Sequence, residues 1–179
     1  MTATGQEPFP PPAFAEPPRI LIVVAPYYRH IADMLVSGAE AALDRVRAKR
    51  DIVEVPGALE IPPAIKIASA NSDFEGFVAL GCVIRGETSH YDTVCNESSR
   101  GLMTLNLAGC CIGNGILTVE NLKQAEVRAS PMVQDKGGGA AEAALHLVAL
   151  YKRFASKGKG IGFSAGGIES SLRPPGSEK

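Results

Sequence analysis

Short apolar runs alternate along the chain with amphipathic stretches. RILIVV, residues 19–24, is continuous, apolar and rich in β-branched residues, which predicts a strand covered on both faces. From Ile31 to Ala48 apolar residues recur at Ile31, Leu35, Ala39, Ala42, Leu43 and Val46 with charges between them. That period predicts an amphipathic helix. DIVEVPGALEIPP then alternates through Ile52, Val53 and Val55 until Pro56 and Gly57 break it, so a short second strand should end in a turn. IPPAIKIASA follows, with prolines where a first helical turn tolerates a missing N–H.

GFVALGCVI, residues 76–84, and CIGNGILTV, residues 111–119, read as two further buried strands, the second interrupted by Asn114 and Gly115. Residues 91–107 between them suit a helix, and a last helix from Gly139 to Phe154 carries a broad apolar stripe. Strand and helix thus alternate about four times, which predicts a doubly wound α/β sandwich with right-handed crossovers. Residues 1–18 are Pro-rich and read as an extended arm, or as disordered; residues 155–179 are rich in Gly, Ser and Lys and read as a flexible tail. The folded domain is expected over 19–154.

Composition narrows the chemistry. With 18 Lys plus Arg against 19 Asp plus Glu, the chain offers no footprint for nucleic acid or an anionic membrane. No apolar run reaches the length of a membrane span, and the start lacks the pattern of a signal peptide, so a cytoplasmic location is expected. Cys82, Cys95, Cys110 and Cys111 show no CxxC spacing and read as reduced thiols, three of them in buried strands. His30, His90 and His146 are too scattered for a zinc site, and no metal is expected.

In an open parallel sheet, ligands bind beyond the carboxyl ends of the strands. PYYRH, PGALEIP, RGETSHYD and TVEN occupy those places, and the first three hold the least ordinary residue choices. In GETSHYDTVCNE, residues 86–97, Gly86 permits a tight turn and Ser89 with Asp92 has the spacing of a capping box. Backbone N–H groups at such a helix start bind anions readily. Thr88 and Ser89 could equally serve only as caps, and His90 could be a surface residue. The residues by themselves leave both readings open.

VPGALEIP, LGCVIRGETSHYDTVCNE, GILTVEN and DKGG occur in order and with compatible spacing, and together they resemble the successive signatures of the lumazine synthase family. The resemblance spans about residues 19–154. It implies a flavodoxin-like three-layer αβα sandwich around a four-stranded parallel sheet. It also implies an enzyme of riboflavin biosynthesis that joins 5-amino-6-(D-ribitylamino)uracil to 3,4-dihydroxy-2-butanone 4-phosphate, giving 6,7-dimethyl-8-ribityllumazine, phosphate and water. No cofactor or metal is implied. The partners implied are the small-molecule substrates and other copies of the chain, in a homopentamer with active sites between neighbouring subunits.

Carried onto this chain, the resemblance stacks the aminouracil ring on Tyr27 and lines its pocket with Ala58, Leu59 and Glu60, the last accepting hydrogen bonds from ribityl hydroxyls. Cys82, Val83 and Ile84 would present backbone groups to the pyrimidine edge. Asn114 stands where many members have a Phe near the ring, so that contact is altered here. The phosphate would meet Glu87, through its backbone N–H, with Thr88 and Arg128. Lys136 would support the site or only the turn, and the acidic residue that the family has two or three positions later falls within GGG here. His90 becomes the proton shuttle, since an imidazole gives and takes protons near neutral pH.

Without the resemblance the same residues are unremarkable. Glu60 would be a carboxylate at a helix start, Cys82 to Ile84 would be core, and Arg128 would be a dipole partner near a helix end. Two rival readings remain in view: a flavin- or nucleotide-binding module without catalysis, and a self-assembling shell of pentamers. ASPMVQDK, residues 129–136, lacks the turn of the capsid-forming members, which favours a free pentamer.

Overall fold

Alternate residues of RILIVV go to opposite faces of one sheet, as the pleat demands. Ile20, Ile22 and Val24 enter one hydrophobic core, and Leu21 and Val23 enter a second. The computed structural model describes residues 9–158. Its strands are β1 (Arg19–Val24), β2 (Lys49–Glu54), β3 (Gly76–Ile84) and β4 (Ile112–Val119), all parallel in the order β2-β1-β3-β4. The crossovers are α1 (Arg29–Arg45), α2 (Ile61–Asn71) and α3 (His90–Leu107), followed by α4 (Leu122–Ala129) and α5 (Lys136–Gly158).

The first core joins the sheet to α1, α4 and α5 through Leu35, Leu43, Ala125, Ala129, Ala144 and Leu145 among others. The second joins it to α2 and α3 through Ile61, Ile65 and Leu102. Helices therefore cover both faces of an all-parallel sheet, the expected αβα sandwich. The central strands β1 and β3 are almost wholly buried, whereas β2 lies at an edge with nearly every residue exposed.

Several expectations need correction. α1 starts at Arg29 and stops at Arg45, three residues short of Ala48, because Arg47 turns to a φ of 56° and closes the helix. β2 begins earlier than the alternation suggested and ends at Glu54; Val55 adds only a bond from its N–H to the Val24 carbonyl. β4 is not interrupted at Asn114 and Gly115. Its glycines face α5, and a Cβ on Gly113 would stand 1.8 Å from the Ala140 carbonyl oxygen. Glycine here is what lets strand and helix touch.

Only Cys82 lies within a strand, since Cys110 and Cys111 precede β4; all four cysteines are free thiols. Residues 9–18 are placed against α5, with the Phe9 ring edge-on to His146 at 5.7 Å and Lys152 over Phe14 at 5.6 Å. α5 continues past Phe154 to Gly158; residues 1–8 of the expected arm and 159–179 of the expected tail lie outside the described residues. No helix among the described residues is long and apolar enough to cross a membrane.

Candidate active site

The segments after β1, β2 and β3 converge at the carboxyl end of the sheet, around a cleft of about 290 Å³. Ala25, Tyr27 and Tyr28 come from the first, Gly57 to Glu60 from the second, and Cys82 to Ile84 with Gly86, Thr88, His90, Tyr91 and Val94 from the third. The cleft therefore brings together nine of the residues singled out from the sequence: Tyr27, Ala58, Leu59, Glu60, Cys82, Val83, Ile84, Thr88 and His90. Glu87 is exposed beside it and does not line it.

Chain geometry explains each position. β3 runs two residues farther than its buried part, so Val83 and Ile84 surface at the rim. A 3₁₀ turn at Ala58–Glu60 leads directly into α2, which places Glu60 at the helix start. Tyr27 is 76% exposed and meets only the edge of Tyr28, with ring centroids 5.0 Å apart and planes at 70°. One aromatic face is thus available to a flat ligand. Burial, with Tyr27 as a neighbour, raises the Tyr28 phenol above its ordinary value. Burial also pushes the Cys82 thiol up to about 11, which keeps it neutral at physiological pH.

The turn into α3 departs from the expected capping box. Ser89 occupies the cap position with helical backbone, and its side chain accepts no hydrogen bond. The His90 N–H instead reaches Thr88 Oγ1 at 3.4 Å, and Asp92 is drawn away to Arg85 at 3.2 Å. Gly86 takes no left-handed conformation, and a Cβ there would meet nothing within 4 Å, so the turn does not depend on glycine. Of the next N–H groups, those of Asp92 and Thr93 donate to the Ser89 carbonyl at 3.1 and 3.3 Å, which leaves that of Tyr91 open to an anion.

The capping arrangement lies one crossover later. Asn121 Oδ1 accepts from the Gln124 N–H at 3.0 Å, and Gln124 Oε1 accepts from the Glu120 N–H at 2.9 Å. This starts α4, which is short and packs through Ala125 and Ala129, too weak a stripe to mark the helix by periodicity. α4 carries Arg128 into a different recess, lined by Thr118, Val119, Asn121, Lys123, Gln124, Val127 and Gln134. Arg128 shares no pocket with His90. Asn114 is also remote: it pairs with Ala79 in the middle of β3, and its Oδ1 accepts from the Ile116 N–H at 3.0 Å.

Lys136 is exposed at the start of α5 and lines neither recess. The glycines after it have separate reasons. A Cβ on Gly137 would stand 2.0 Å from the Leu35 carbonyl oxygen, and one on Gly138 would stand 2.2 Å from Asp135 Oδ2, whereas Gly139 faces open space. Of the two positions where the resemblance expects a carboxylate, only 139 has room for one. Tyr91 and Val94 in the cleft, and Arg85 against Tyr91, are not singled out by the sequence, and Tyr28 is set below Tyr27 only by the resemblance; the signal is nearness in sequence to Tyr27 and His90. No group of three or more His, Cys, Asp or Glu among the described residues is placed to hold a metal ion.

Comparison with known proteins follows the same boundaries. Residues 17–152 match the family model of 6,7-dimethyl-8-ribityllumazine synthase. A 6,7-dimethyl-8-ribityllumazine synthase of Jannaschia sp. (strain CCS1) is 52% identical over 156 residues, covering 87% of this chain and 88% of that one. The Novosphingobium aromaticivorans protein of the same name is 55% identical over 136 residues, 76% of this chain and 98% of its own. That of Bartonella henselae is 55% identical over 138 residues, 75% and 89% respectively.

Proposed function

The chain belongs to the 6,7-dimethyl-8-ribityllumazine synthase family, transferases of riboflavin biosynthesis, and from that premise we propose that it condenses 5-amino-6-(D-ribitylamino)uracil with 3,4-dihydroxy-2-butanone 4-phosphate. The products are 6,7-dimethyl-8-ribityllumazine, phosphate and water. The observation that carries the reading is the meeting of Tyr27, Glu60, the β3 rim and His90 in one cleft.

The nucleophile belongs to the substrate. Its 5-amino group attacks the butanone carbonyl, and loss of water gives an imine. Elimination of phosphate yields an enol that ketonises, and the ribitylamino nitrogen then closes the ring onto the carbonyl so formed with loss of a second water. Each step moves a proton, and none needs a protein nucleophile; a neutral Cys82 thiol fits that role-free position. Tyr27 stacks the pyrimidine, Ala58 and Leu59 flank it, and Glu60 accepts from ribityl hydroxyls. Cys82, Val83 and Ile84 offer backbone groups to the ring edge. His90 shuttles the protons, for which a placed imidazole contributes about 10²–10⁴-fold. Thr88 and the Glu87 N–H receive the phosphate beside the start of α3.

Arg128 and Asn114 serve the site from a neighbouring copy in a cytoplasmic homopentamer, with Lys136 in support. Two features support this division. At about 290 Å³ the cleft is small for two substrates, and the cation suited to phosphate sits in another recess. The test is to mix both substrates with purified protein, follow lumazine absorbance, and measure particle mass on the same sample. Lumazine formation by a particle of five chains is expected. A yellow, inactive protein would instead favour a flavin-binding module.

A further inference from the structure

Arg85 follows β3 directly, and its N–H donates to the Val119 carbonyl at 2.9 Å, so the sheet ladder continues one rung past the strand. Its guanidinium makes three contacts. Nε donates to Glu120 Oε2 at 2.9 Å, Nη1 donates to Asp92 Oδ1 at 3.2 Å, and Cζ lies 4.0 Å from the centroid of the Tyr91 ring. Glu120 stands at the end of β4, and Tyr91 and Asp92 belong to the first turn of α3. Strand ends and helix start are therefore held by one planar group, whose fork and flat face suit this use and for which a lysine is no equivalent.

His90 begins that same turn, and its side chain has no restraint of its own. Its imidazole makes no hydrogen bond among the described residues, and its N–H reaches only Thr88 at 3.4 Å. Ser89 supplies no cap. The place of His90 in the cleft thus depends on how the first turn of α3 is tied down. We infer that Arg85 is a positioning residue, whose clamp on Tyr91, Asp92 and Glu120 holds His90 in register with the cleft. The inference rests on the proton-shuttle reading of His90. The clamp is not a major support of the fold, because its side chains are 42% to 57% exposed and exposed pairs add little stability.

A residue that acts through His90 loses its effect when His90 is gone. The experiment compares kcat, at saturating levels of both substrates, for the wild type, Arg85→Met, His90→Asn and the double variant, with particle mass and circular dichroism as checks. Arg85→Met is expected to lower kcat about 10- to 100-fold, the scale of a small misplacement. In the His90→Asn background the same change should cost less than about 3-fold. Arg85→Lys should restore part of the loss, through charge without stacking. An equal loss in both backgrounds, or no loss in either, overturns the role of Arg85 while His90→Asn still reports a shuttle. Wild-type kcat in His90→Asn overturns both readings. If Arg85→Met does not fold, Asp92→Asn replaces it: a smaller loss that vanishes without His90 supports the clamp, and an additive loss overturns it.

Discussion

Cys82 lies where the cleft meets the core, and its chemistry is set by that border. Burial pushes the thiol up to about 11, so at pH 8 roughly one thiol in 10³ is ionised. Because only the thiolate attacks, alkylation of Cys82 by iodoacetamide should be slow at pH 8. It should rise nearly tenfold per pH unit up to pH 10, read by peptide mass spectrometry on the folded protein. Arg128 is the opposite case, a guanidinium with no carboxylate partner among the described residues. Charge-assisted hydrogen bonds contribute about 1.5–3 kcal/mol. Arg128→Ala should therefore raise KM for the phosphate substrate on the order of 10- to 100-fold, with KM for the aminouracil unchanged. Steady-state kinetics with each substrate varied in turn decides it; an unchanged KM for the phosphate substrate removes Arg128 from the site.

At the scale of elements, two glycine positions in the first turn of α5 separate packing from propensity. Gly137 lies against the backbone of α1, where a Cβ would stand only 2.0 Å from the Leu35 carbonyl oxygen and could not be accommodated without movement of a helix. Such overpacking costs typically about 1–3 kcal/mol. Gly139, two residues on, faces open space, and alanine there recovers roughly 0.5–1 kcal/mol of backbone entropy. Gly137→Ala should lower the thermal midpoint and Gly139→Ala raise it, at about 2–4 °C per kcal/mol, in melts at one protein concentration. The same contrast explains what the sequence could reveal. Strands buried on both faces and the long stripe of α1 were legible, because burial there imposes a period. α4 was not, since its stripe is two alanines and its start rests on side-chain caps; and the capping box expected at Ser89 is absent because Ser89 takes helical backbone and Asp92 pairs with Arg85.

For the molecule as a whole, the separation of Arg128 from the cleft is the informative part. Three strand ends build the cleft and the fourth builds a separate recess with Arg128, a separation that follows from the packing of α4 and not from any motif in the sequence. Met103 and Leu107 on α3 and Leu150, Tyr151 and Phe154 on α5 leave an apolar groove uncovered, with Leu107 83% exposed. Continuous apolar surface of this kind marks protein contacts. A site shared between neighbours has a consequence that a self-contained one lacks. His90→Asn and Arg128→Ala oligomers are each impaired, but a mixed ring contains some sites with His90 from one chain and Arg128 from the next. If subunits mix at random in equal amounts, each junction has a probability of 1/2 × 1/2 for that combination, so about a quarter of wild-type activity should return. Co-unfolding and refolding the two variants, then assaying lumazine formation against the separately refolded parents with the phosphate substrate well below its KM, where the loss of Arg128 lowers the rate, measures it. Activity no higher than the mean of the parents would mean that each chain completes its own site, and the division between copies would have to be abandoned.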